Sequence, residues 1–326
     1  MSNLQLVPSP PLAPATAGMT LRRVLLGVDF GSASLAAARW ATTYIAPRAN
    51  ALLSHVWSFP DDGDDDREVD PARVESLRRM RPAVAGGLRG FAATLGVERA
   101  RSILRMGRPS HWLSVIANDE AVSLAVFGRR ADANRVRIGE PNVIERASRR
   151  TNASVLVVPE GVVDPPTHVV AAVDESRFAP RVVRAARHVA RLHDIPMTIL
   201  HVLSPAVGAY ERVIRTARHL LGAERKLKST RVPATNVLPL RLAPWLVELG
   251  QSHDANSRDR TEVAMGDPAR EITAFARSSN ATLIVVGKRG FDDAPVGSIG
   301  SVARELLTRA PVAVLAVSGH AASPDA

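Results

Sequence analysis

Short runs of consecutive apolar residues recur along the chain, and longer stretches with a helical period separate them. The first are LLGV near residue 25, ALLSHV from Ala51 and LAVFG from Leu124; VVAAV from Val169 and TLIVVG from Thr282 follow the same style. Such runs are apolar on neighbouring positions rather than on alternate ones. A strand covered by helices on both faces carries that pattern, as in a parallel sheet. The pattern predicts strands over 22–29, 50–57, 100–106, 122–128 and 154–159, and again over 168–174, 197–203, 261–265, 282–287 and 312–317. Helical segments fill the gaps. Each set therefore reads as βαβ units with right-handed crossovers, an α/β fold with a doubly wound parallel sheet of five strands.

The two sets are copies of one plan. VLLGVDFGSASLAAARWATTYIAPRANALLSHVWS, from Val24, and VVAAVDESRFAPRVVRAARHVARLHDIPMTILHVLS, from Val169, have the same order. Each gives an apolar strand, an aspartate (Asp29, Asp174), small polar residues, an amphipathic helix and a strand ending in His-Val (His55-Val56, His201-Val202). Further on, Gly107 stands as far ahead of Gly128 as Gly266 stands ahead of Gly287. Agreement in order at this many points marks a duplicated unit. The chain divides into an N-terminal arm over 1–20, a first domain over 21–160, a linker over 161–167, a second domain over 168–319 and a tail over 320–326. The arm lacks a basic start and is broken by prolines, so it reads as disordered rather than as a signal peptide; Met19 offers a second translation start. Pro165 and Pro166 make the linker a semi-rigid join. The long stretch from Ser204 to Arg260 is expected to hold helices near 208–228 and 242–252.

Composition narrows the chemistry. The chain has 326 residues, 46% of them hydrophobic and only 4% aromatic, so its cores must be aliphatic. It has no cysteine, which excludes disulfides, thiolate metal sites and thiol nucleophiles. With no targeting segment, a cytoplasmic location is expected. No apolar run reaches the roughly 18 residues of a membrane span. The net charge is +10, from 42 basic and 32 acidic residues, but these are spread over both halves with no basic stripe interleaved with aromatics. Nucleic acid is therefore not an expected partner. The histidines form no metal-binding spacing. The acidic run DDGDDD at 61–66 lacks the closing glutamate of a calcium loop and reads as a solvated loop.

One stretch carries distinctive chemistry. GKRGFDDAPVGSIGS, Gly287–Ser301, joins the strand TLIVVG to the helix SVARELLTRA. Doubly wound sheets open their ligand crevice at the carboxyl ends of the strands. Glycines let the backbone approach oxygens and adopt positive φ. The amides of Gly300, Ser301 and Val302 lie at a helix start, where N–H groups lack partners and the dipole favours an anion. Ser301 is expected as the N-cap, and Asp174 faces the same crevice from the next strand. The stretch is neither a Walker loop nor the dinucleotide fingerprint. Its spacing is G-x2-G-x9-G-[ST]. With the aspartate after strand one, His-Val at the end of strand two and Gly-x-Pro after strand three, it resembles the universal stress protein family in its tandem form, from Arg22 to Ser318.

The resemblance implies strand order 3-2-1-4-5 in each domain and an internal pseudo-dimer formed by the last strands, which covers exposed edges. It implies ATP as ligand, with or without magnesium. Asp174 then contacts the nucleoside, and the backbone of Val202 reads adenine. Gly287, Gly290, Gly300, Ser301 and Val302 cradle the phosphates. The first domain departs from the pattern: Arg129, Arg130 and Ala131 follow Gly128, and Asn142 and Val143 stand where Gly300 and Ser301 would. Gly139 survives, but Pro141 removes an amide. Asp29 and Val56 remain. This half is expected to bind ATP weakly or not at all, although Arg129, Arg130, Arg135 and Arg137 could substitute for amides. Ordinary structural roles stand beside these readings. His55 and His201 fit satisfied core histidines, the Gly-x-Pro segments fit helix starts, and Lys288 and Arg289 fit either exposed loop charges or phosphate-steering cations. The leading reading is a nucleotide-dependent regulatory protein with an unidentified protein partner. A slow ATPase or nucleotide-dependent transferase, using Asp292 or Asp293, and a module that binds no nucleotide stay open, as does further homodimerisation.

Overall fold

The computed structural model describes residues 21–58, 71–130, 143–203, 232–233, 259–289 and 298–319. In the first repeat, strands and helices alternate: β1 (Arg23–Gly27), α1 (Ser32–Trp40), β2 (Asn50–Trp57), α2 (Pro71–Leu95), β3 (Arg101–Met106), α3 (Pro109–Asp119), β4 (Leu124–Arg129), α4 (Val143–Arg150) and β5 (Ser154–Pro159). The second repeat contains β6 (Val169–Val173), α5 (Ala179–His193), β7 (Met197–Leu203), the short β8 (Val232–Pro233), β9 (Arg260–Met265), α6 (Pro268–Ser278), β10 (Leu283–Gly287), α7 (Ser301–Arg309) and β11 (Ala313–Val317). The ten expected strands are all present, with ends within two residues of their expected positions. The helices expected near 208–228 and 242–252, the acidic run at 61–66 and the arm lie outside the described residues.

All strands among the described residues join one sheet in the order β3-β2-β1-β4-β5-β11-β10-β6-β7-β9-β8. Each repeat contributes its strands as 3-2-1-4-5, parallel within itself, and β8 adds an antiparallel edge to β9. The halves meet where β5 and β11 pair antiparallel, with Leu156 opposite Leu315 and Val157 opposite Val314. This is the internal pseudo-dimer. Strands buried on both faces explain the unbroken apolar runs: every residue of β6 and β11 is buried.

The cores do not stop at the seam. One runs under α1, α2 and α5 and joins Trp40 and Leu88 to Val182 and Val285. The other, under α3, α4, α6 and α7, joins Ile116 and Ala147 to Ile272 and Leu307. Polar contacts fix the register of the halves. The Trp40 indole N–H donates to the Asp164 carbonyl in the linker at 2.9 Å, and His193 Nε2 meets the Tyr44 carbonyl at 2.6 Å. The Ser318 amide donates to Ser154 Oγ at 3.1 Å.

Leu156 is fully buried at this seam. Leu156→Ala should cost about 2–5 kcal/mol, the usual range for a buried leucine. Urea unfolding followed by far-UV circular dichroism reads this as a lowered midpoint; an unchanged midpoint would mean that the seam contributes little to stability.

Candidate functional site

β6 and β10 are adjacent, and their connections leave to opposite faces of the sheet, which is where this architecture opens a crevice. A cavity of about 270 Å³ lies at their carboxyl ends. Asp174, Val202, Gly287, Gly300, Ser301 and Val302 all line it. Gly290 lies outside the described residues. Leu200 and Ile272 give one wall an apolar surface.

Asp174 directly follows β6. Its Oδ1 accepts the Ser176 amide at 3.2 Å, forming a turn that delays the start of α5 to Ala179. The turn is held from the neighbouring strand, because His201 Nδ1 bonds the Val173 carbonyl at 2.9 Å. His55 makes the same link to Val28 in the first repeat at 2.7 Å. The repeated His-Val signal thus encodes a strap, buried in the second repeat and half-buried in the first, that fixes the aspartate turn, a role more specific than that of a satisfied core histidine.

At the cradle the structure changes three expectations. Gly300, not Ser301, is the N-cap of α7: its backbone is extended (φ −62, ψ 149) and its carbonyl accepts the Arg304 amide at 2.9 Å. Ser301 is therefore the first helical residue. Next, the Gly300 amide is already committed to the Lys288 carbonyl at 3.0 Å. The cradle's amides begin at Ser301 and continue through Val302 and Ala303, all ahead of the first intrahelical bond. Finally, neither Gly287 nor Gly300 has positive φ. Gly287 is required by close approach instead, since a Cβ there would lie 2.9 Å from the Arg289 carbonyl.

The two cations of this loop have opposite fates. Arg289 lines the cavity and its Nε donates to the Ser298 carbonyl at 3.2 Å, tying strand end to helix start. Lys288 is buried and does not steer ligand inward. Its Nζ donates across the seam to the Thr151 carbonyl, with the Ala153 carbonyl at 3.4 Å.

The matching corner of the first repeat is closed. Asp29 Oδ1 accepts the Gly31 amide at 2.8 Å, and α1 starts at once with Ser32. This earlier start lays the first turn of α1 on the end of β4. A Cβ at Gly128 would run into the backbone of Ala33 and Ser34. Arg129 cannot serve as a phosphate contact there, because it is buried and donates to the Ala310 carbonyl of the other repeat. Val143 opens α4 and is exposed, and Arg130 is exposed as well. Arg135, Arg137, Gly139, Pro141 and Asn142 lie outside the described residues.

The sequence model of the universal stress protein family matches residues 20–159 and, a second time, residues 166–318. The chain belongs to the universal stress protein family. A universal stress protein of Mycolicibacterium smegmatis is 28% identical over 161 residues, which cover 46% of this chain and 48% of that protein. The chain thus spans about half the length of this curated relative. The crystal structure of a universal stress protein from Archaeoglobus fulgidus DSM 4304 superposes with a TM-score of 0.61 at 18% identity, covering 91% of this chain and 98% of that one. That likeness extends the fold agreement across both universal stress repeats. Among the described residues, no helix is long and apolar enough to cross a membrane.

Burial, and then the charge of Arg289, push the Lys288 ammonium from 10.5 down to about 7. The folded protein then releases a proton near pH 7 that the unfolded chain keeps until about 10.5. Between these limits the unfolded state binds more protons, so stability rises with pH. Urea midpoints at pH 7 and pH 9 should show a larger gain for wild type than for Lys288→Met; equal gains would mean that the buried lysine keeps its charge.

Proposed function

We propose that this universal stress protein is a cytoplasmic, nucleotide-dependent regulatory protein that binds ATP in the crevice of its second repeat. One observation carries the reading: an acceptor, a set of helix-start amides and a cation converge on one cavity with an apolar wall. Each part suits one part of the ligand. The apolar wall at Leu200, Val202 and Ile272 suits a base, and the Asp174 carboxylate accepts hydrogen bonds from ribose hydroxyls. The amides of Ser301 and Val302, at the positive end of α7, suit phosphate oxygens. Arg289 adds a fork of donors for the same oxygens. Magnesium would enter with the phosphates, since among the described residues no three acidic or histidine side chains gather into a metal site.

Regulation follows from differential binding. A ligand that bridges the strand-six turn and the α7 start favours the conformations in which they are close, and so biases any partner surface that depends on them. Phosphoryl transfer needs a positioned base or water-orienting group besides the cradle. Asp292 and Asp293, the acids considered for that role, lie outside the described residues. In the first repeat α1 packs directly on Gly128, and this half is expected to bind ATP weakly or not at all.

Calorimetric titration of the full chain should give one ATP site. Gly300→Asp should abolish the heat. Aspartate is a favoured N-cap, so the variant keeps the helix start while placing a carboxylate against the phosphates. Two equivalent sites per chain, or full affinity in Gly300→Asp, would overturn the assignment.

A further inference from the structure

Two buried basic side chains cross the seam in opposite directions. Arg129 directly follows Gly128 at the end of β4, and Lys288 directly follows Gly287 at the end of β10, the same place in each repeat. Arg129 donates to the Ala310 carbonyl, the C-cap of α7. Lys288 donates to the Thr151 carbonyl, just past α4. Each repeat therefore closes the carboxyl end of the other's last helix, where carbonyls lack partners and the dipole is negative. Apolar residues would seal such a seam without desolvating a charge. Burial alone thus gives no reason for basic side chains at both places; a directed bond does. One Arg129 nitrogen, Nη1, is buried without a partner, so the position accepts a cost to keep the other bond.

The two contacts are alike in form but not in consequence. α7 carries the cradle at its amino end, and Arg129 holds its carboxyl end. The Lys288 carbonyl accepts the Gly300 amide at 3.0 Å, and its own amide donates to the Val317 carbonyl at 2.8 Å. The side chain that anchors this residue is seated in the first repeat. A third tie joins the same helices, Arg304 of α7 with Glu145 of α4 at 3.8 Å. The first repeat thus makes contacts that bear on both ends of α7.

We propose that Arg129 and Lys288 are positioning residues for the ligand site: the first repeat, its own crevice closed, sets the alignment of the Ser301 and Val302 amides through these two bonds. The proposal rests on reading that crevice as a polyphosphate site. Neither residue touches the ligand; both act through α7 and the Lys288–Gly300 bond.

The test compares the full chain with Arg129→Met, Lys288→Met and Leu156→Ala. The methionines keep an unbranched apolar stem and remove the directed bond, while Leu156→Ala weakens the seam without touching either contact. ATP affinity is read by calorimetry and the protection of the Gly300–Arg304 amides by hydrogen exchange. Each methionine variant should weaken ATP binding about tenfold, within the usual span of coupling between sites, and speed exchange of the Gly300 amide. Leu156→Ala should leave both unchanged while lowering the urea midpoint, and Lys288→Arg should restore most of the affinity. Should Arg129→Met not fold, Arg129→Gln serves in its place. Methionine variants that behave like Leu156→Ala would overturn the proposal and leave the cations as plain seam contacts. If wild type takes up no ATP, the nucleotide reading fails by itself, and the exchange data still decide whether the first repeat positions the cradle: unchanged Gly300 exchange overturns it.

Discussion

Each repeat ends its sheet on a strand with no polar face. β5 is buried along Val155, Leu156, Val157 and Val158, and β11 along its whole length. Alone, either strand would present an apolar edge with a row of unpaired amides and carbonyls, an arrangement that invites aggregation. Pairing β5 with β11 removes both edges at once and lets two cores close over the seam. The linker need only span a short return, and the Trp40–Asp164 bond pins it in place. The relation between crevice and closed corner, and the crossing of Arg129 and Lys288, all follow from this one antiparallel pair.

From a common plan, the two corners diverge through a small change in the chain between strand one and helix one. Asp29 is followed by Phe30, Gly31 and the start of α1, whereas Asp174 is followed by a longer turn through Ser176 before α5 begins. The short path forces strain, with Phe30 at φ 62, and its ring lies tilted against that of His55 at 4.7 Å between centroids. It also drives the α1 backbone onto Gly128. The longer path leaves the end of β10 open. Loss of the second glycine after Gly128 is thus one of two changes that separate the repeats.

Much of this was legible in the residues because the governing signals are local. Doubly buried strands leave consecutive apolar runs, a repeated order of Asp, His-Val and Gly-x-Pro marks the duplication, and the family resemblance carried by that order implies the strand order. Asp267, at the head of α6, accepts the Arg270 amide at 3.0 Å with Pro268 next to it, as the Gly-x-Pro segment suggested. What was not legible depends on partners far away in sequence. Nothing around Lys288 says that its ammonium will lie on Thr151, or that Arg129 will reach Ala310, because those acceptors belong to the other repeat. The cap shifted from Ser301 to Gly300 for a similar reason: the Lys288 carbonyl captures the Gly300 amide, and the helix starts one residue earlier than the side-chain preference implied.

An open crevice and a stable sheet make opposing demands. The cradle keeps a helix start with its first amides unpaired and a strand end with no side chain at Gly287, each less stable than a packed alternative. The first repeat shows that alternative, with a helix turn laid directly on the strand end. Duplication in one chain allows the two solutions to coexist across a shared sheet. The first repeat adds bonds near the two ends of α7, a helix that also packs on α6 and β11 of its own repeat. A homodimer of identical halves would have to make the same compromise twice; in this chain the halves differ, and the seam joins them.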